Sequence, residues 1–143
     1  MSVTGLRLPT EAEWEYAYRA VTTTAYHSYP AQPTGFNDDF LIDNIANYRT
    51  SPTNRTNPVG GKFANGLGLH DMAGNVCEWC QDWYGPYSLV SVTNPTGPAT
   101  GSSRLLRGGF WLGSSYYCRA SQRVYSTPDY VGSIVGFRVV RNP

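Results

Sequence analysis

Apolar residues fall along this chain in short bursts separated by long polar stretches, and each burst carries its own period. In Leu8-Pro-Thr-Glu-Ala-Glu-Trp14 the polar lead ends in a capping box: the Thr10 hydroxyl can accept from the amide of Glu13 while the Glu13 carboxylate reaches back. The spacing predicts a helix starting at Thr10, with Trp14, Ala17 and Tyr18 on its inward face. Glu11, Glu13 and Glu15 then suit its positive N-terminus. Residues 66–79 run through a turn into an apolar strand anchored by Trp79 and Trp83, the expected centre of the core. Residues 104–111 and 134–140 have strand composition and are expected to pair antiparallel, with a Tyr-rich loop between them. Residues 21–56 show no sustained period and read as ordered loop, broken by Pro30, Pro33, Gly35 and Pro52; residues 85–103 read as a polar surface excursion.

Composition narrows this picture. A chain of 143 residues, 41% hydrophobic, can bury one core and is short for two ordinary domains, so residues 1–143 are expected to form one domain. A net charge of +1 supplies no field to gather nucleic acid or anionic lipid. No apolar run approaches the roughly 20 residues that cross a bilayer, and Met1-Ser-Val-Thr-Gly5 lacks the basic and apolar regions of a signal peptide, so a soluble chain is expected. Cys77-x-x-Cys80 has no second pair with which to build a zinc site, and Cys118 stands alone. With 15 Gly, 10 Pro and 14% aromatic residues, much irregular backbone and few helices are expected.

The strings Arg7-Leu-Pro-Thr-Glu-Ala-Glu-Trp-Glu-Tyr-Ala17, Gly68-Leu-His-Asp-Met-Ala-Gly-Asn-Val-Cys-Glu-Trp79, Leu106-Arg-Gly-Gly109 and Gly136-Phe-Arg138 resemble the formylglycine-generating, sulfatase-modifying enzyme family. The resemblance implies an α+β, C-type-lectin-like fold with small antiparallel sheets, few helices and long ordered loops. It also implies a question about catalysis, because those enzymes oxidise a substrate cysteine at a copper held by two cysteines after the Arg-Gly-Gly string. Here Gly113 stands at the first position, and Cys118 matches a later cysteine outside the pair. Thiolates are what hold Cu(I), so no inherited oxidase activity is expected, and no cofactor is required.

The frame Arg107-Gly-Gly-x-Trp111, Cys118-Arg119, Arg123, Pro128-Asp129, Gly136-Phe-Arg138 is most similar to the variable proteins of diversity-generating retroelements. In these, adenine mutagenesis rewrites the final coding segment with a residue set that excludes Lys, Glu, Gln, Met and Trp. Residues 104–141 would be that segment. The candidate ligand-binding positions are Phe110, Leu112, Gly113, Ser114, Tyr116, Tyr117, Val124, Tyr125, Ser126, Tyr130, Val131, Gly132, Ser133 and Val135, all within the permitted set. Tyr, Ser and Gly make adaptable recognition surfaces. The irregular spacing of the tyrosines favours exposure, the alternative being aromatic core between two strands. The reading is of a non-enzymatic protein that binds a protein or other macromolecular ligand, without nucleic acid and without membrane insertion. A catalytically inactive or accessory domain of a sulfatase-modifying enzyme is the alternative; the calcium motifs of sugar-binding lectins are absent.

The family resemblance further implies a structural Ca2+ at Gly74, Asn75, Val76 and Glu78, since backbone carbonyls, one amide and one carboxylate suit a hard cation. A strained turn at Asn75 with Glu78 paired to an arginine is the other arrangement these residues allow. Arg107, Arg119, Arg123 and Arg138 are expected in polar networks with Asp71, Asp82 or Asp129. Cys80 and Cys118 are expected to lie together, leaving Cys77 a buried thiol. His27 and His70 have no ligand constellation around them.

Overall fold

The computed structural model describes residues 5–50 and 55–141. Strand β1 (Leu6–Arg7) leads into helix α1 (Glu11–Arg19), which begins where the capping box places it: Thr10 accepts from the Glu13 amide at 3.2 Å and the Glu13 carboxylate returns to the Thr10 amide at 2.8 Å. Arg7 clamps the same carboxylate, and this hydrogen bonding holds its pKa down at about 2. Glu11, Trp14 and Tyr18 form the buried face of the helix.

At its other end α1 closes on Ala20 in the left-handed region. Asn65, distant in sequence, donates to the carbonyls of Ala17 and Tyr18 while its own oxygen accepts from the amides of Leu67 and Leu69. Helix-end carbonyls need partners when water is excluded, and one buried amide side chain supplies two while fixing a turn.

A 3-10 turn (Asp39–Asn44) precedes β2 (Ala46–Asn47), which pairs in parallel with β3 (Ala73–Gly74). Strand β4 (Cys77–Trp83) is the centre of a four-stranded sheet of order β6-β5-β4-β7, with β5 at Arg104–Arg107, β6 at Val124–Ser126 and β7 at Val135–Gly136. Strand β8 (Val140–Arg141) returns to pair antiparallel with β1. The architecture is α+β and C-type-lectin-like, with small sheets and one α-helix among the described residues.

Residues 104–111 and 134–140 do not pair with each other, contrary to expectation. Strand β6 folds back on β5 and takes its free edge, so the returning chain is left with the far edge of β4, where β7 lies parallel. Sequence composition marks strands but carries no information on which edges remain open.

Much of the core comes from irregular chain. Tyr26, Tyr29, Phe36, Ile42, Ile45 and Tyr48 pack with Trp14, Tyr18, Met72 and Leu105 in one buried cluster. Each large apolar side chain buried this way stabilises by about 1.5–3 kcal/mol, which is how loops without regular hydrogen bonding stay ordered. Residues 85–103 mostly lie exposed, as expected of a surface excursion.

Candidate functional site

Arg107, at the end of β5, is fully buried beneath the site. Its guanidinium lies between Glu11 and Glu15 of α1, and it donates to the Gln122 carbonyl. Glu11 is shared: Arg123 grips it through two nitrogens at 2.7 and 2.9 Å, and the Tyr87 hydroxyl donates to it at 3.1 Å. The carboxylate partners of Arg107 and Arg123 are therefore glutamates of the first two turns of the helix, and of the expected aspartates only Asp71 meets an arginine, its carbonyl accepting from Arg138 at 3.3 Å. Asp82 instead accepts the Glu11 amide, Asp71 accepts the Gly60 amide, and Asp129 is fully exposed with Thr127 as its partner. Arg119 pairs with Asp39, which also accepts from Tyr26 and Ser115. The helix glutamates serve the helix dipole and, turned inward, neutralise arginines 92 and 112 residues away.

Past Arg107 the chain turns through Gly108 and Gly109, with φ of +99° and +78°. A side chain at 109 would stand 2.7 Å from Cys118 Sγ, so the Arg-Gly-Gly string marks a left-handed, close-packed turn that only glycine fits. It delivers the following residues to the surface.

Those residues are held by their main chain. The Arg49 amide donates to the Gly113 carbonyl at 2.8 Å, the Tyr26 hydroxyl to Ser115 O at 3.2 Å, and the Tyr18 hydroxyl to Cys118 O at 2.6 Å. Burial raises the Tyr18 phenol well above its ordinary pKa, and burial together with Asp39 raises that of Tyr26 to about 12, so both remain protonated donors. The Trp111 amide donates to Asn75 O at 2.9 Å, and its indole donates to Ser133 O at 3.2 Å, tying the two halves of the segment together. Backbone ladder pairing holds Val124, Tyr125 and Ser126 against β5.

The candidate positions divide by exposure. Leu112, Ser114, Tyr116, Tyr117, Tyr125, Tyr130, Val131 and Ser133 are exposed; Phe110, Val124, Ser126, Gly132 and Val135 are half-buried; Gly113 is buried. Tyr117 sits between Phe110 and Tyr116, with ring centroids 5.5 and 5.8 Å away. Tyr125 stacks on Tyr84 at 4.1 Å, and the Arg123 guanidinium lies over both Tyr84 and Tyr87. Tyr84, directly after β4, and Tyr87, in the polar excursion, lie outside the Tyr-rich segment, so composition does not mark them as part of this surface. Phe137, in the Gly136-Phe-Arg138 string, is 69% exposed. Arg138, beside it, faces inward onto Glu78.

The turn at Gly74, Asn75, Val76 and Glu78 takes the arginine-paired arrangement. Both Glu78 oxygens are engaged, by Arg138 and by the Trp14 indole at 2.7 Å, and Asn75, at φ +65°, accepts the Asn57 amide. Asn47 Oδ1 is the one buried side-chain oxygen without a hydrogen-bond partner among the described residues. A Ca2+ here would have to draw on the main-chain carbonyls of Gly74 and Val76 and take Glu78 from Arg138 and Trp14.

None of the three cysteines is in a disulfide, and all are buried. Cys118 has Cys77 near it, while Cys80, which shares the buried core cluster with Cys118, has Arg107, Asp82 and Glu11 around its thiol. The register explains it: Cys77 opens β4 beside the Gly109 turn, and Cys80 lies further along. Burial pushes the Cys77 thiol up to about 12 and the other two higher still. No cluster of three or more His, Cys, Asp or Glu able to hold a metal occurs among the described residues. His27 is buried with its Nδ1 on the Ser28 carbonyl, while His70 is exposed.

Comparison with known proteins gives this geometry a context. The model of the sulfatase-modifying factor enzyme 1-like domain matches residues 2–143. The solved structure of Treponema denticola variable protein 1 is similar, with a TM-score of 0.88 and 39% identity over 98% of this chain and 49% of that one. The formylglycine-generating enzyme of Streptomyces coelicolor is 38% identical over 94% of this chain and 46% of its own length. A serine/threonine-protein kinase pkn1 of Chlamydia pneumoniae is 41% identical over 96% of this chain and 21% of its own. The chain thus spans less than half the length of these relatives.

Proposed function

The chain belongs to the sulfatase-modifying factor enzyme 1-like family, and from that premise we propose that it is a non-enzymatic, ligand-binding member whose residues 104–141 are diversified by a retroelement. The observation that carries this reading is the manner of anchoring. Donors from Arg49, Tyr26 and Trp111 end on carbonyls of residues 113, 115 and 133, groups that every amino acid possesses. Side chains at the exposed positions can change without breaking those bonds. The likeness to a variable protein over 98% of the chain supports the same reading.

Catalysis finds little support. Residues 109–117 contain no cysteine, and Cys77 and Cys118 are buried, which raises both thiols and disfavours the thiolate that acts as nucleophile. The test is twofold. The DNA downstream should carry a near-copy of the final coding segment, with adenines at the candidate positions, beside a reverse transcriptase. The purified protein with copper should leave a cysteine-containing sulfatase peptide unchanged. Conversion of that peptide would instead favour a sulfatase-modifying activity, the reading that the 38% identity to a formylglycine-generating enzyme keeps in view.

A further inference from the structure

Away from residues 104–141, a cavity of about 900 Å3 opens between residues 28–33 and residues 60–66, within the range of roughly 300–1,000 Å3 in which small-molecule sites fall. One wall is flat and apolar: the ring of Phe63 lies nearly parallel to that of Tyr29, with centroids 5.6 Å apart and an interplanar angle of 15°, and Pro30 and Pro33 line the same space. Tyr29 is buried, and its hydroxyl accepts from the Asn44 amide group at 3.2 Å, so its ring is fixed. Phe63 is held by its main chain, whose amide donates to the Asn44 carbonyl at 3.1 Å, while the residue stays 50% exposed. An aromatic ring held half in water beside a cavity is area for a ligand to cover.

The same cavity carries two charges that no ion matches. Lys62 and Asp43 both line it, and the Lys62 ammonium donates to the main-chain carbonyl of Asp43, which puts the two residues at one end. Neither side chain is in an ion pair among the described residues. The other ionisable groups lining the cavity are Tyr29 and His70, whose Nδ1 sits on the Lys62 carbonyl at 2.8 Å. The Tyr48 phenol stands beside Asp43, and the Asp71 carboxylate is taken by the Gly60 amide. A simple anion would gain Lys62 but meet Asp43, and a simple cation the reverse; a zwitterion matches both. We infer that this cavity is a small-molecule site for a free aromatic amino acid, with its ring against Tyr29 and Phe63, its carboxylate on Lys62 and its ammonium on Asp43. None of these residues lies in residues 104–141, so the site stands or falls independently of the function proposed above.

Calorimetric titration of the whole chain tests this with four probes: L-phenylalanine, 3-phenylpropionate, which lacks the ammonium, phenethylamine, which lacks the carboxylate, and L-alanine, which lacks the ring. L-Phenylalanine should bind saturably below about 10 mM, and L-alanine at least about tenfold more weakly. Lys62→Met should weaken L-phenylalanine and 3-phenylpropionate about fivefold and leave phenethylamine within about twofold. Asp43→Asn should weaken L-phenylalanine and phenethylamine instead and spare 3-phenylpropionate. Neither position is buried, so both variants should keep the parent's thermal transition. Phe63→Leu, which keeps an apolar side chain but removes the flat ring, should weaken all three aromatic probes. No binding of L-phenylalanine, or binding that the three variants leave unchanged, overturns the site. Equal binding of L-alanine overturns the aromatic wall as its recognition element. Either one-charge probe binding more tightly than L-phenylalanine, or Lys62→Met and Asp43→Asn failing to discriminate between those two probes, overturns the amino acid as the occupant.

Discussion

Strand β5 and the stretch directly after it are neighbours in sequence and opposites in the way they are held. Residues 104–107 are fixed by what their side chains touch: Leu105 is buried in the core cluster, and Arg107 is wholly enclosed between Glu11 and Glu15. Residues 110–118 are fixed mainly by their carbonyls, through Arg49, Tyr26 and Tyr18, with Phe110, Tyr116 and Tyr117 left as braced but outward rings. The first arrangement makes side-chain identity a condition of folding. The second separates identity from folding, which is the physical requirement for any surface whose sequence is to vary while its shape is kept.

The largest effect should come from breaking the side-chain-held region at its shared residue. Glu11→Ala strands two arginines, one of them fully buried, and removing one partner of a buried ion network costs about 3–5 kcal/mol. Denaturant unfolding should show a midpoint far below that of the parent protein; a loss under about 1 kcal/mol would mean that Arg107 and Arg123 are adequately served by Glu15 and by carbonyls. Thr10→Ala should cost less, about 1 kcal/mol, because it removes the cap but leaves Glu13 on Arg7.

The difference between these regions also explains what was legible in the sequence. The capping box, the helix start and the exposure of the tyrosines were readable because each depends on residues a few positions apart. The arginine partners were not, since Arg107 and Glu15 meet across 92 residues and nothing local says that a glutamate early in the helix points inward. Asn65 as the helix cap is another such case: an asparagine between polar neighbours reads as a loop residue until α1 ends against it. Strand composition over residues 134–140 does not say which side chains turn in: Arg138 faces inward on Glu78, while its neighbours Phe137 and Val139 are exposed. The calcium turn followed the same logic, with a distant arginine occupying the carboxylate.

Acid should reach the Arg7–Glu13 pair at low pH. The folded-state pKa of Glu13 is lowered to about 2, so its stabilisation is complete above the ordinary carboxylate value and is lost as pH falls from there toward about 2. Its side chain is 42% exposed, so solvent screening keeps the contribution small. A Glu13→Gln variant should therefore differ from the parent in thermal midpoint at neutral pH and converge with it in acid. Thermal scans in millimolar Ca2+ and in chelator should coincide, because Arg138 and Trp14 hold Glu78; a midpoint raised by Ca2+ would show that the ion displaces the arginine.

The smallest effects should come from the main-chain-held region, and they sharpen the comparison most. Tyr116→Ser, Tyr117→Ser, Val131→Ser and Phe137→Ala each replace a side chain that is at least 36% exposed, and substitutions away from packed features usually stay within about 0.5 kcal/mol. Combined, the three at candidate ligand-binding positions, Tyr116→Ser, Tyr117→Ser and Val131→Ser, should still leave a cooperative unfolding transition near that of the parent. Tyr26→Phe, outside the segment, is the control, since it keeps the ring but removes the donor to Ser115 and Asp39. It should cost more than any of the surface changes, because it leaves a carbonyl of the candidate segment and a carboxylate without that donor. If instead the tyrosine substitutions destabilise as much as Tyr26→Phe, side-chain packing holds residues 110–118 in place, and the separation of identity from folding does not exist.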